Sequence, residues 1–199
     1  MFLFLFFVYK YYRLTEFLNG TILISNQDIS KLDFYQLRSS LAIIPQDSLL
    51  FSGTLRENLD PENLYSDEQL HSILKMIKFD KQWSVLDEQF DDKILRSISA
   101  GQKQLLCLAR TLLRKPKILI LDEATAAIDP GTEEFVQEII QREFTDCTVL
   151  TIAHRLNNVM KYPVDKVLVL DQSRIAEFDS PEILLSNPNS IFSSLMFKS

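Results

Sequence analysis

Lys117 to Asp129 reads KILILDEATAAID, and this stretch decides the fold. Ile118 to Leu121 is a short, continuous apolar run rich in β-branched residues. A run of that length bounded by polar signals predicts a strand buried on both faces, the pattern of a parallel sheet. It leads directly into two carboxylates, Asp122 and Glu123. In open α/β sheets ligands collect at the carboxyl ends of strands. A carboxylate there is a hard oxygen donor suited to Mg²⁺, and a neighbouring one can poise a water against a phosphate.

Upstream, Ile98-Ser99-Ala100-Gly101-Gln102-Lys103-Gln104 precedes LLCLARTLLRKPK. Leu105, Leu108, Ala109 and Leu112 recur at helical spacing, and Lys115-Pro116 stops the run. Ser99 and Gly101 therefore sit at a helix start. There the unpaired N–H groups and the positive dipole end favour an anion, and glycine lets backbone approach phosphate.

With these segments on one chain, the sequence resembles the ATP-binding cassette family from about Tyr12 to the C-terminus. Ile98 to Gln102 is similar to the LSxGQ signature, with Ile for Leu. Ile118 to Glu123 resembles Walker B, and Ala126-Ala127-Ile128-Asp129 resembles the D-loop. Thr148 to Ala153 is a further β-rich apolar run ending in His154-Arg155-Leu156, which matches the switch histidine. Ile43-Ile44-Pro45-Gln46-Asp47 looks like the Q-loop. The run LFSGTLRENLDP, the early TILISNQDISKLDFYQLRSSLAIIPQD and the phrase LDEATAAID are similar to multidrug-resistance-associated exporters. In those exporters the second cassette carries Asp-Glu at this place, whereas the first generally replaces the Glu. Glu123 therefore makes the chain resemble a second nucleotide-binding domain.

The resemblance implies a fold and a set of roles. The fold is an α/β, P-loop-NTPase-like cassette core, a mostly parallel sheet flanked by helices, with an α-helical signature subdomain across roughly residues 60–100. ATP and Mg²⁺ are the implied ligands. Asp122 holds Mg²⁺, with Gln46 touching the metal or the attacking water. Glu123 is the general base or water-orienting group, and His154 contacts the γ-phosphate. Ser99, Gly101 and Gln102 face ATP bound to a partner cassette in a head-to-tail dimer, and Asp129 crosses that interface. The partners are another nucleotide-binding domain and the membrane domains of an exporter, at the cytoplasmic face of a membrane.

The sequence contains no P-loop. The pattern G-x-x-x-x-G-K-S/T needs two glycines five positions apart. The four glycines, Gly20, Gly53, Gly101 and Gly131, are spaced far more widely. The expectation is a cassette truncated at its N-terminus, with residues 12–199 forming a partial nucleotide-binding domain that is inactive in isolation. A catalytically dead cassette that lends its signature to a partner is the alternative. A soluble cassette ATPase of DNA repair or translation is disfavoured, because the long heptads of the repair type are missing and LFSGTLRENLDP is exporter-like.

Residues 1–11, opening MFLFLFFVY, form an atypical apolar segment. A membrane-spanning helix needs about 20 apolar residues, and Lys10 and Arg13 interrupt this run too early. The basic lead and small-residue cleavage site of a signal peptide are missing as well. A first buried strand or helix and a misplaced gene boundary are the readings left.

Composition sets outer bounds. A chain of 199 residues suits one domain with a subdomain, and 46% hydrophobic residues suffice for a packed core. A net charge of −6 argues against nucleic acid as a partner, since that needs a basic face. Cys107 and Cys147 lie apart in sequence, which suggests buried thiols in a reducing compartment.

Further local signals complete the plan. Thr21–Ser25, Ser40–Ile44, Val149–Ile152 and Val167–Leu170 read as strands. Ser66-Asp67-Glu68-Gln69 opens a helix with a cap and acidic first turn. Asp171-Gln172-Ser173 reads as a hairpin turn into Arg174–Phe178, its type left open by Ser173. Ser180-Pro181-Glu182 opens a last helix.

Overall fold

The structure is a computed structural model, and it describes residues 8–15, 19–79, 86, 89–90, 97–122, 128–152, 160–172 and 174–197. Contacts divide the chain at Ile152. One compact unit is Val8–Ile152, and the other takes in Ala153–Ser199.

The first unit is organised around the apolar run Ile118 to Leu121. In chain order its elements are β1 (Leu23–Ile24), β2 (Gln27–Asp28), α1 (Phe34–Ser39), β3 (Leu41–Ile44), β4 (Gly53–Thr54), α2 (Leu55–Leu59), α3 (Asp67–Met76), β5 (Gln89–Phe90), α4 (Ala100–Arg114), β6 (Ile118–Asp122), α5 (Pro130–Glu143) and β7 (Thr148–Ile152). Strands β3, β6 and β7 form a three-stranded sheet with β6 central, and both pairings are parallel. Ile118, Leu119, Ile120 and Leu121 are 9%, 0%, 2% and 2% exposed, so β6 is covered on both faces, as its unbroken apolar run requires. Burying one such side chain stabilises the fold by about 1.5–3 kcal/mol.

β7 differs. Among the described residues it pairs only with β6, and Val149 and Leu150 remain exposed. Its apolar composition reads as core, yet its free edge and uncovered faces make it a boundary of the unit.

Helix α4 supplies most of the packing on the sheet. It begins at the Ser99 N-cap and ends at Lys115, whose φ of 48° is left-handed and whose N–H donates to the Thr111 carbonyl at 3.1 Å. Pro116 then prevents continuation. The buried surface is broader than the spacing of Leu105, Leu108, Ala109 and Leu112 predicts. Leu106 and Leu108 are fully buried, as are Ala109 and nearly Leu113, whereas Leu105 is only half-buried. The reason is that α4 packs on β3 and on three helices, α2, α3 and α5, so several of its faces are interior.

Of the helical subdomain expected over roughly residues 60–100, α3 is described, and α2 lies just before it. Both open on reciprocal capping boxes, Thr54 with Glu57 and Ser66 with Gln69. β4 pairs antiparallel with β5. Residues 80–85, 87–88 and 91–96 lie outside the described residues. The strand expected over Thr21–Ser25 is only Leu23–Ile24. Ser25 and Asn26, with φ of 49° and 61°, turn the chain into a hairpin with β2.

The second unit is a hairpin of β8 (Val167–Asp171) and β9 (Arg174–Asp179), followed by α6 (Pro181–Ser186) and α7 (Ile191–Met196). Gln172 takes φ 45° in the turn. Helix α7 is an addition to the sequence expectation, in which the helix opening at Ser180-Pro181 is the last. Its start is held by Glu177 of β9, which accepts from the N–H groups of Ile191 at 2.8 Å and Phe192 at 3.0 Å and from the Ser190 hydroxyl at 2.9 Å. Val169, Leu184 and Phe192 form this unit's small core.

Candidate functional site

The parallel register brings sequence-distant residues to one edge of the sheet. Ile44 lies opposite Leu121, so Pro45 and Gln46 leave β3 at the end where β6 reaches Asp122. Asp122 lies opposite Ile152, the last residue of β7. This common edge is the carboxyl end of all three strands, where α/β sheets place ligands. Asp122 is half-buried and Gln46 exposed. Glu123 and His154 lie outside the described residues, one position beyond Asp122 and two beyond Ile152 in sequence. A carboxylate and an amide oxygen on adjacent strand ends are hard donors, the set that Mg²⁺ takes along with waters and phosphate oxygens. The donor chemistry therefore fits the metal.

The second group of expected site residues lies at helix starts. Ser99 and Gln102 form a capping box. The Gln102 N–H donates to Ser99 Oγ at 3.2 Å, and the Ser99 N–H donates to Gln102 Oε1 at 2.8 Å. Two of the helix's first N–H groups are thereby used, and those of Ala100 and Gly101 point out of the helix end without an intrahelical acceptor. That end carries the positive pole of a fifteen-residue helix, which suits a phosphate.

Asp129 caps α5 in the same manner. It accepts from the Thr132 N–H at 3.0 Å and the Thr132 hydroxyl at 2.7 Å. The Thr132 hydroxyl, with the Thr132 N–H second, holds the Asp129 carboxyl below the usual aspartate range. Pro130 at the first helical position is preorganised for the turn.

These two helix starts meet. A Cβ on Gly101 would lie 3.3 Å from Cγ2 of Thr132. Gly101 is thus the point where α4 and α5 approach closely, a reason for glycine separate from phosphate access. In sequence, Ser99–Gln102 and Asp129 belong to separate motifs, and neither motif includes Thr132. The available signal was Asp-Pro-Gly-Thr at 129–132, an N-cap followed by an N1 proline and a hydroxyl three positions on.

An α/β core with a buried parallel β6, Asp122 at its carboxyl end and a phosphate-suited helix start is the architecture of a nucleotide-binding cassette. It matches a bacterial Atm1-family ABC exporter solved with ATP bound, at a TM-score of 0.83 and 31% identity over 97% of this chain and 34% of that one. Residues 10–126 match the ABC transporter family, and the chain belongs to that family. It is similar to ABC transporter C family member 3 of Dictyostelium discoideum, 49% identical over 188 residues, 93% of this chain and 13% of that protein. It is also similar to multidrug resistance protein mrp-7 of Caenorhabditis elegans, 45% identical over 93% of this chain and 12% of that protein. The chain thus spans about an eighth of the length of these relatives. No described helix is long and apolar enough to cross a membrane.

Proposed function

We propose that the chain is the nucleotide-binding part of a C-family, multidrug-resistance-associated type of ABC exporter, and that it derives from the second of two cassettes. It would work at the cytoplasmic face of a membrane, coupling ATP binding and hydrolysis to transport by membrane domains. The observation that carries this reading is the Asp122–Glu123 pair following a buried parallel strand whose neighbour leads to Gln46.

The residues take these roles. Mg-ATP supplies the phosphoanhydride and the charge neutralisation of its phosphates. Asp122 and Gln46 hold Mg²⁺, Glu123 orients the attacking water and accepts its proton, and His154 holds the γ-phosphate end. A positioned general base contributes roughly 10²–10⁴ in rate. Ser99, Gly101 and Gln102 close over ATP held by the P-loop of a partner cassette, with Asp129 at the interface between the two.

A carboxylate can poise a water, but it cannot hold the phosphate that the water attacks. These 199 residues contain no G-x-x-x-x-G-K-S/T nest of N–H groups and lysine. On their own they neither bind Mg-ATP tightly nor hydrolyse it. The test compares this chain with one extended upstream to include a P-loop, each with and without a partner cassette, by nucleotide binding and phosphate release. The expected result is binding only in the extended chain, and hydrolysis only with the partner. Glu123→Gln should then abolish hydrolysis and spare binding. Glu123-dependent turnover by these residues alone overturns the reading. If the extended chain binds ATP but never turns over, the cassette is a signature donor only.

A further inference from the structure

The segment after Gln46 has no regular secondary structure up to β4, so no strand ladder or helix fixes it. Polar side chains fix it instead, and the principal ones come from α4. Gln104, 2% exposed, accepts from the Ser48 hydroxyl through Oε1 and donates from Nε2 to the Pro45 carbonyl at 3.5 Å. One buried amide therefore grips the chain on both sides of Gln46. Six residues along the same helix, Arg110 donates to the Leu49 carbonyl at 2.8 Å. It also donates to the carbonyl and the side-chain Oδ1 of Asn58. Asn58, 1% exposed, then pairs with the backbone of Phe51 in both directions, at 3.1 Å and 2.9 Å.

The positions on α4 are what give this latch a consequence. A helix rises about 1.5 Å per residue and is stiff over a few turns, so the Ser99–Gln102 end and Gln104 belong to one rigid rod. Burial of Gln104 makes its pairing obligatory, since a buried amide left unmatched costs about 1–3 kcal/mol. A shift at the helix start is carried to Pro45 and Ser48, and the exposed Gln46 lies between them.

We propose that Gln104 and Arg110 are positioning residues that bind the Gln46 loop to α4, so that the Ser99–Gln102 end and Gln46 move as one body relative to Asp122. Neither residue touches nucleotide, and both act through Gln46. The inference rests on the roles given above to Gln46 and to Ser99–Gln102.

The test is backbone amide order parameters over residues 46–51 in this chain, read by NMR with the β6 amides as the folded-state control. In the unaltered chain the loop should be as ordered as β6, about 0.85. Gln104→Met should drop it below about 0.6, and Gln104→Glu, which keeps the acceptor for Ser48 but not the donor to Pro45, should fall between. Arg110→Met should loosen 49–51 and Arg110→Lys restore part of the order. If Arg110→Met does not fold, the two Gln104 variants still decide the matter. Ser99→Ala is the coupling readout. It should loosen 46–51 in the unaltered chain and have no further effect there in Gln104→Met. An unchanged loop in Gln104→Met, or a Ser99→Ala effect that is nil or equal in both backgrounds, overturns the proposal. Adding a partner cassette loaded with Mg-ATP separates the two readings. If residues 99–102 show no response while the latch results hold, the functional assignment fails and the latch stands.

Discussion

Gly101 shows how one atom of side chain can carry opposing effects. Alanine in a helix is favoured over glycine by roughly 0.5–1 kcal/mol. A Cβ at this position, however, meets Thr132 Cγ2 at 3.3 Å, so α5 must yield a few tenths of an ångström. We expect Gly101→Ala to give no stabilisation by itself, and to stabilise by up to about 1 kcal/mol once Thr132→Ser removes that methyl group. Chemical denaturation of the two single variants and the double variant checks this. Asp129, in contact with the same threonine, has a pH signature. Its carboxyl is held below the ordinary aspartate value by the Thr132 hydroxyl and N–H. Its stabilising contribution is therefore complete above that value and is lost as pH falls through the lower folded-state pKa. Asp129→Asn should flatten acid unfolding in that window and leave the neutral region little changed in slope.

Among the elements, α4 and α7 depend on their first turns. Ser99→Ala removes one half of a reciprocal capping box and should cost about 1 kcal/mol, read as a lower denaturant midpoint with an unchanged slope. The start of α7 is held from outside the helix by Glu177, whose carboxyl is lowered first by the Phe192 N–H, then by the Ile191 N–H and the Ser190 hydroxyl. That support is present above the ordinary glutamate value and fades as pH falls through the depressed folded-state value. Amide exchange in α7 should therefore be faster in Glu177→Gln than in the unaltered chain at neutral pH, with the difference closing in acid. For β6, full burial makes Leu119→Ala costly, about 2–5 kcal/mol, and urea unfolding measures it. β3 and β7 are the two edge strands of the parallel sheet among the described residues, and of the two β7 is the exposed one. Its exposed Val149 and Leu150 are an association hazard. Val149→Lys should reduce concentration-dependent light scattering without lowering the thermal midpoint.

At the scale of the whole chain, local patterns revealed a large part of the molecule. The unbroken run at 118–121 specified a covered central strand, because only a strand buried on both faces tolerates it. Serine caps at 66, 99 and 180 marked three helix starts, because cap hydroxyls satisfy N–H groups within a few residues. The acids at 122 and 123 pointed to a ligand edge, and the order of the motifs pointed to the family. All of this is short-range chemistry, legible within a few residues of each signal. The sequence could not reveal what depends on residues far apart along the chain. That α4 is interior on several faces follows from β3 and three helices packing around it. That Gly101 rests against Thr132 follows from how α4 and α5 pack. That Gln104, an unremarkable polar residue in a helix pattern, is buried against Pro45 and Ser48 depends on a loop 56 positions away. Glu177 at the start of α7 and the exposure of the apolar β7 are of the same kind. The sequence by itself determined the family, the central buried strand at 118–121 and the capped helix starts at 66, 99 and 180, because each of those signals is local. Only the tertiary structure decided which faces are covered and which polar groups satisfy one another, because those depend on packing between elements that local sequence does not encode.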